Sequence, residues 1–247
     1  IDQVVQKLGE EDDIYRTIMT GVDPDDSDAL RRRGMATREL ATRAFAQRER
    51  AAWEVVQVIE WRLQHRNALR PKDPGDVLAL NTLYWVEEQN SPRIELPPGL
   101  SPSQFCEKLT EEAMAYRVDT RPAIQLIQSG KLSKEELRYF CFQFVPPAVD
   151  FTKMIALASM CLPRDVAALT FDNLYEEGGK GDWNKAHVHL LTRFLQEFDI
   201  RLQDDEAALG WVPPEAVAGS NAQNRLLWHP EPGWALGSMF VMEKLLP

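Results

Sequence analysis

The stretch NLYEEGG at residues 173–179 predicts the end of one helix and a tight turn into the next. Its two glycines supply the left-handed residue that stops a helix. Its two glutamates cost stability, because the helix dipole disfavours negative charge at a C-terminus by about 0.3–1 kcal/mol. A second helix, from about Trp183 to Glu197 with Asp182 as N-cap, then returns antiparallel to the first. The stretch therefore predicts a helical hairpin that places Glu177 opposite His187.

The sequence on both sides of this hairpin is also patterned for helices, and the alternation typical of strands is nearly absent. Ser101 and Ser133 are followed three residues later by Gln or Glu, the pattern of a capping box. We predict helices over residues 29–66 (capped by Ser27-Asp28), 78–86, from Ser101, from Ser133 to about 160 with a break at Pro146-Pro147, 164–177 and 234–246. The predicted fold class is all-α, a helical bundle.

A loop with three prolines, residues 91–99, predicts the boundary between two parts of the chain. We expect residues 1–98 to form an N-terminal helical extension and residues 99–247 to form the core domain. The long Ala-, Arg- and Glu-rich helix of the extension is suited to pairing with another chain. We therefore expect a homodimer.

The composition excludes some classes of partner. The chain has 28 basic and 38 acidic residues, a net charge of −10, and a surface that acidic repels a nucleic acid. Its apolar runs are far shorter than the roughly 20 residues of a membrane span, so we expect no membrane partner. Three separated cysteines without a CxxC pair indicate buried thiols in a reducing, cytoplasmic environment.

Two helices carry a polar residue on a face predicted to be buried. Between residues 182 and 198 the apolar stripe includes His187, so we expect His187 to point inward and His189 to point outward. On the last helix Glu243 is the one charge on its face. A buried carboxylate without a partner costs several kcal/mol, so Glu243 should be paired, protonated or metal-bound. The alternative to a metal ligand is, for His187, a core histidine hydrogen-bonded to a neighbour and, for Glu243, a carboxylate at the rim of the bundle.

Two further carboxylates are candidate ligands. A solvated helix end is the alternative for Glu177, and it is the favoured interpretation for Glu176. Asp150 lies in a segment that is apolar almost all round, where a salt bridge to Lys153 explains it as well as a ligand role does. Together Glu177, His187, Glu243 and Asp150 offer carboxylate oxygen and imidazole nitrogen, the donors of non-haem iron sites.

From Ser101 to Pro247 the sequence resembles the haem-oxygenase-like diiron oxidases and oxygenases, relatives of the TenA and PqqC proteins. The most specific similarities are residues 173–178, His187 with the leucines and phenylalanine that follow it, and residues 235–237 leading to Glu243. The resemblance implies a haem-oxygenase-like helical bundle that binds one or two irons without a haem and uses O2.

The resemblance also implies roles for individual residues. Glu177 is similar to the carboxylate of the second core helix, His187 to the imidazole that follows it, and Glu243 to the carboxylate of the next core helix. Asp150 stands where a glutamate is more usual. Two histidines and an aspartate are expected on a helix after Pro247, so this chain is expected to lack its last metal-binding helix.

We therefore expect an O2-dependent non-haem diiron oxygenase or oxidase with two Fe(II) and O2 as co-substrate. The resemblance implies a small amine, amino acid or fatty-acid-like substrate, and analogy favours N-oxygenation. A metal-free hydrolase similar to TenA is one alternative, and it requires an accessible, thiolate-prone Cys141 or Cys161. A non-catalytic helical interaction protein is the other.

Overall fold

The computed structural model describes residues 11–68, 73–92, 95–115, 121–143, 145–201, 212–229 and 231–245. These residues form helices and no strand, which confirms the all-α fold class. The helices are α1 (Glu11–Met19), α2 (Ser27–Ala41), α3 (Arg50–Ala68), α4 (Pro74–Asn90), α5 (Pro102–Ala115), α6 (Pro122–Gln128), α7 (Lys134–Phe142), α8 (Val145–Cys161), α9 (Arg164–Glu177), α10 (His187–Gln196), α11 (Pro214–Leu227) and α12 (Pro232–Leu245).

The described residues of the chain divide into two compact units. The first consists of Ile1–Arg93 and Asp205–Asn221, and the second of Ile94–Asp204 and Ala222–Pro247. None of the helices in the described ranges is both long and apolar enough to cross a membrane.

The first unit has an apolar core formed by α1 to α4. The residues of α3 that belong to this core recur at helical spacing, so that one apolar face of the helix packs against the other three. They are Ala52, Val55, Val56, Ile59 and Leu63. The core residues include Ile18, Leu40, Val55, Ile59, Leu63 and Leu83.

A buried ionic network joins α2, α3 and α4. Asp76 and Arg33 are almost completely buried and form a salt bridge. Asp76 also accepts hydrogen bonds from Arg66 at 2.5 and 2.8 Å and from Asn67 at 2.8 Å. Burial by itself raises the pKa of Asp76, but the hydrogen bonds from Arg66, Asn67 and Arg33 outweigh it, so that the pKa lies below its ordinary value.

The second unit has its own apolar core. Met154 and Ala158 of α8 pack with Ala167 of α9, Leu227 of α11 and Ala235 of α12. α8 packs against both α9 and α10, and α12 packs against α5. α8 is thereby in contact with both helices of the hairpin that carries Glu177 and His187.

The prediction of one long helix over residues 29–66 is wrong. α2 ends at Ala41, a π-helical turn covers Thr42–Ala46, and α3 begins at Arg50. Between them Arg48 adopts a left-handed conformation with φ 57°, and Arg43 donates two hydrogen bonds to Glu49 at 2.6 and 2.8 Å. The segment contains no proline or glycine that would have marked the break.

Candidate metal centre

A tight loop connects α9 to α10. Gly179, Lys180 and Gly181 all have positive φ, of 79°, 56° and 87°, and the backbone N–H of Lys180 donates to the carbonyl of Tyr175 at 2.9 Å. The side chain of Asp182 accepts from the backbone N–H of Asn184 and caps a short 3-10 turn. The loop therefore folds back on the end of α9, as predicted from Gly178 and Gly179. Gly179 supplies the left-handed residue, whereas Gly178 has φ −75°.

Gly179 is the residue in this loop that has no room for a side chain. A Cβ atom there would lie 2.5 Å from the backbone nitrogen of Ala186 and 2.7 Å from the carbonyl carbon of Lys185. Because these are backbone atoms, they cannot move aside without shifting the loop. The close approach of Gly179 to Ala186 brings the first residue of α10 back beside the last residue of α9.

Glu177 and His187 meet across this loop. The Glu177 Oε2 and His187 Nδ1 atoms are 2.7 Å apart. The Glu177 side chain is only 13% exposed, whereas that of His187 is 60% exposed. The structure thus brings together two of the four predicted ligands, one carboxylate and one imidazole.

The prediction that His187 points inward is wrong. The predicted helix 183–197 is broken, because Ala186 has ψ 134° and separates the 3-10 turn Trp183–Lys185 from α10. His187 is therefore the first residue of α10 rather than part of its buried face. Leu190 and Phe194, which share its predicted stripe, are 44% and 52% exposed.

His189 is half-buried, although it was predicted to lie on the outer face. Its ring makes an edge contact with Trp183, with centroids 4.4 Å apart. Its Nε2 atom is buried and has no hydrogen-bond partner among the residues that the structure describes. On α10 the completely buried side chain is Leu195. The buried face of α10 is thus rotated relative to the stripe read from the sequence.

Glu176 occupies a different environment from its neighbour Glu177. It forms a 2.6 Å ion pair with Lys180, and both side chains are about 60% exposed. The hydrogen bond from Lys180 lowers the pKa of Glu176 below its ordinary value. The structure agrees with the interpretation of Glu176 as part of a solvated helix end.

The other two predicted ligands lie on helices that the structure describes, but their side chains are outside the described residues. Asp150 is on α8 and Glu243 is on α12. Within the described part of the chain, no group of three or more His, Cys, Asp or Glu side chains is arranged to hold a metal. The Glu177–His187 contact is therefore the part of the predicted site that has a defined geometry.

One of the two cysteines that the hydrolase alternative could use is shielded from solvent. Cys141 is 3% exposed, and burial raises the pKa of its thiol. Both effects disfavour a reactive thiolate. The side chain of Cys161 lies outside the described residues.

Residues 138–247 match the family model described as iron-containing redox enzyme. The resemblance to the haem-oxygenase-like family is confirmed over this segment, which is a little under half of the chain. All four candidate ligands lie within it. The match supports an oxidoreductase that contains iron. No curated protein matches the chain.

Proposed function

We propose that the protein is an O2-dependent non-haem iron enzyme that holds two Fe(II) and oxygenates a small amine or amino acid, with N-oxygenation as the favoured reaction. The observation that carries the proposal is the 2.7 Å contact between Glu177 and His187 inside a segment that matches iron-containing redox enzymes. A fatty-acid-like substrate is the other class that the family resemblance supports.

The donor atoms of this pair fit iron. Carboxylate oxygen and imidazole nitrogen are both ligands that Fe(II) accepts. An ionised carboxylate can only accept a hydrogen bond, so the hydrogen in the contact belongs to Nδ1 of His187. In neutral His187 this leaves the lone pair on Nε2, on a side chain that is 60% exposed. His187 and Glu177 would hold iron, and we propose Glu243 and Asp150 as further ligands.

Iron, when bound, supplies the capacity to bind O2 and transfer electrons to it. The contribution of the chain is to hold the ligands in place. Through the same contact, the Glu177 carboxylate selects the tautomer of His187 and orients its ring. The loop from Gly178 to Ala186 maintains this contact, because Gly179 permits the close backbone approach that a larger residue would prevent.

The experiment that tests the proposal compares two adjacent glutamates. Anaerobic Fe(II) titration, followed by calorimetry and by metal analysis after desalting, is applied to the protein and to Glu177→Gln, His187→Ala and Glu176→Gln. We expect Glu177→Gln and His187→Ala to weaken iron binding by about 10- to 100-fold. Glu176→Gln should bind iron as the unsubstituted protein does, because Glu176 pairs with Lys180 at the surface.

Iron binding that is unchanged in both Glu177→Gln and His187→Ala would contradict the proposed site. The reaction is tested separately, by supplying Fe(II), O2 and a panel of amino acids, amines and fatty acids to the protein. A product that gains one oxygen atom on nitrogen supports N-oxygenation. Gain of oxygen on carbon, or loss of hydrogen from a fatty acid, would retain the iron enzyme and exclude the favoured reaction.

A further inference from the structure

An exposed face of the first unit combines α2 and α4. Met35 on α2 is 61% exposed, and Leu78 and Trp85 on α4 are 38% and 53% exposed. A Cβ at Gly34, next to Met35, would lie 3.5 Å from Leu78, and the Arg38 guanidinium lies 5.5 Å from the centre of the Trp85 ring. The three apolar side chains therefore belong to one surface, which we call the α2–α4 face.

The charges on α2 are arranged with opposite sign on either side of Met35. Arg31 lies four residues before it and Glu39 four residues after it, and both are exposed. Arg31 donates to the Met35 sulfur at 3.8 Å, and its contact with the exposed Asp28, at 3.6 Å, is of the weak surface kind. Four residues of helix span about 6 Å, so the two charges flank Met35 at equal distances along the same side of the helix. The Arg38 guanidinium lies over the Trp85 ring of the same chain, so Arg38 is not counted among the charges that would pair with a second copy.

This arrangement is complementary to itself. When two copies of α2 cross antiparallel at Met35, a residue four positions before Met35 lies opposite the residue four positions after it. A two-fold axis through Met35 therefore places Arg31 of each copy opposite Glu39 of the other, and the interface is isologous. Methionine and tryptophan are enriched at the centre of protein interfaces, and this axis passes through Met35. Trp85 lies next to Arg38, which is three residues from Met35 along α2.

We infer that the α2–α4 face is the contact surface of a two-fold symmetric homodimer, centred on Met35 and oriented by reciprocal Arg31–Glu39 pairs. The face lies outside the segment that matches the iron-containing family, so the dimer does not depend on the proposed reaction. The net charge of −10 per chain opposes association in general, and the alternation of charge along α2 makes the contact locally attractive.

Sedimentation velocity of the full chain over a range of concentrations tests the inference. We expect a monomer–dimer equilibrium, with Arg31→Glu and Glu39→Arg each raising the dissociation constant about tenfold or more. The double variant Arg31→Glu/Glu39→Arg should return it close to the original value, because the pairs are restored with reversed sign. Trp85→Ala should raise it about 30-fold or more. Arg164→Glu, the same change of charge on an exposed arginine of α9, should leave it unchanged.

A second measurement does not depend on the stability of the variants. In a Cys106→Ser background, Met35→Cys should form a disulfide-linked dimer on mild oxidation, since a residue on a two-fold axis meets its own copy. A protein that stays monomeric to about 100 µM overturns the inference. So does a dimer that is insensitive to the substitutions on α2 and α4, and failure of the double charge reversal to restore association overturns the antiparallel register.

Discussion

Replacing Gly179 by alanine should destabilise the hairpin that carries the candidate metal ligands, and Gly181 provides a matched control. Both glycines lie in the same loop with positive φ, 79° and 87°. Among the described residues, a Cβ at Gly181 would have only the Tyr175 hydroxyl within 4 Å, at 3.9 Å, whereas a Cβ at Gly179 would lie 2.5 Å from the backbone nitrogen of Ala186. The two substitutions therefore share a conformational cost and differ in steric cost.

The magnitudes follow from these two contributions. A non-glycine residue in the left-handed region costs about 1–2 kcal/mol, and we expect this loss of unfolding free energy in Gly181→Ala. Gly179→Ala adds an overlap of roughly 1 Å relative to a normal contact of about 3.5 Å. Overpacking of this kind costs about 1–3 kcal/mol, so the total loss for Gly179→Ala is about 2–5 kcal/mol.

Urea unfolding followed by circular dichroism measures the loss, and hydrogen-exchange mass spectrometry locates it. Peptides covering the end of α9 and the start of α10 should exchange faster in Gly179→Ala than in Gly181→Ala. Fe(II) affinity should fall in the same order, because the loop holds Glu177 beside His187. Equal losses of stability in the two variants would refute the reasoning, since they would show that the close approach of Gly179 to Ala186 contributes nothing.

Three further predictions concern buried groups. Asp76→Asn should lower the unfolding free energy by about 3–5 kcal/mol, because among the described residues it leaves the buried Arg33 with only the Asp73 carboxylate, 3.7 Å away and partly exposed, as a counter-charge. Glu111→Gln, in the exposed pair with Lys108, should have much less effect in the same urea titration. The pKa of Asp76 is lowered in the folded protein. The ionised carboxylate therefore stabilises the fold above its unfolded pKa of about 3.9, and this stabilisation is lost as the pH falls through the lower folded pKa. The difference in unfolding free energy between the protein and Asp76→Asn should shrink below about pH 4, and a difference that persists at lower pH contradicts this assignment. In a Cys161→Ala protein, a thiol reagent should label the exposed Cys106 in the native state and the buried Cys141 only after denaturation; rapid native labelling of Cys141 would favour the hydrolase alternative.

The parts of the fold that the sequence predicted well are those decided by neighbouring residues. Ser133 and Glu136 form the predicted capping box at the start of α7, and Ser101 and Gln104 exchange the same pair of hydrogen bonds before α5. The helix predicted over residues 164–177 has these bounds in the structure. In each case, the signal and the structure it specifies lie within a few residues of each other.

Other elements depend on contacts that a local pattern does not contain. The break between α2 and α3 rests on a left-handed Arg48 and on the pairing of Arg43 with Glu49, and these residues favour helix in isolation. The cap of α2 is Asp26 rather than the predicted Ser27-Asp28, a choice among adjacent residues that can all serve as caps. Helix α11, which was not predicted, begins at Pro214 as the first-turn proline rule allows.

The hairpin that carries the candidate site shows both cases, one feature set by neighbouring residues and one that depends on packing against other elements. The pairing of Glu177 with His187 is set by the intervening loop, where the glycines and the cap at Asp182 are visible in the sequence. The burial of His187 was inferred instead from an apolar stripe shared with Leu190 and Phe194, and all three are exposed. A stripe identifies residues that share a helix face, but burial requires another element to pack on that face. The Glu177–His187 contact joins the adjoining ends of α9 and α10 across one short loop, so the pairing could be predicted from the local sequence although the burial of His187 could not.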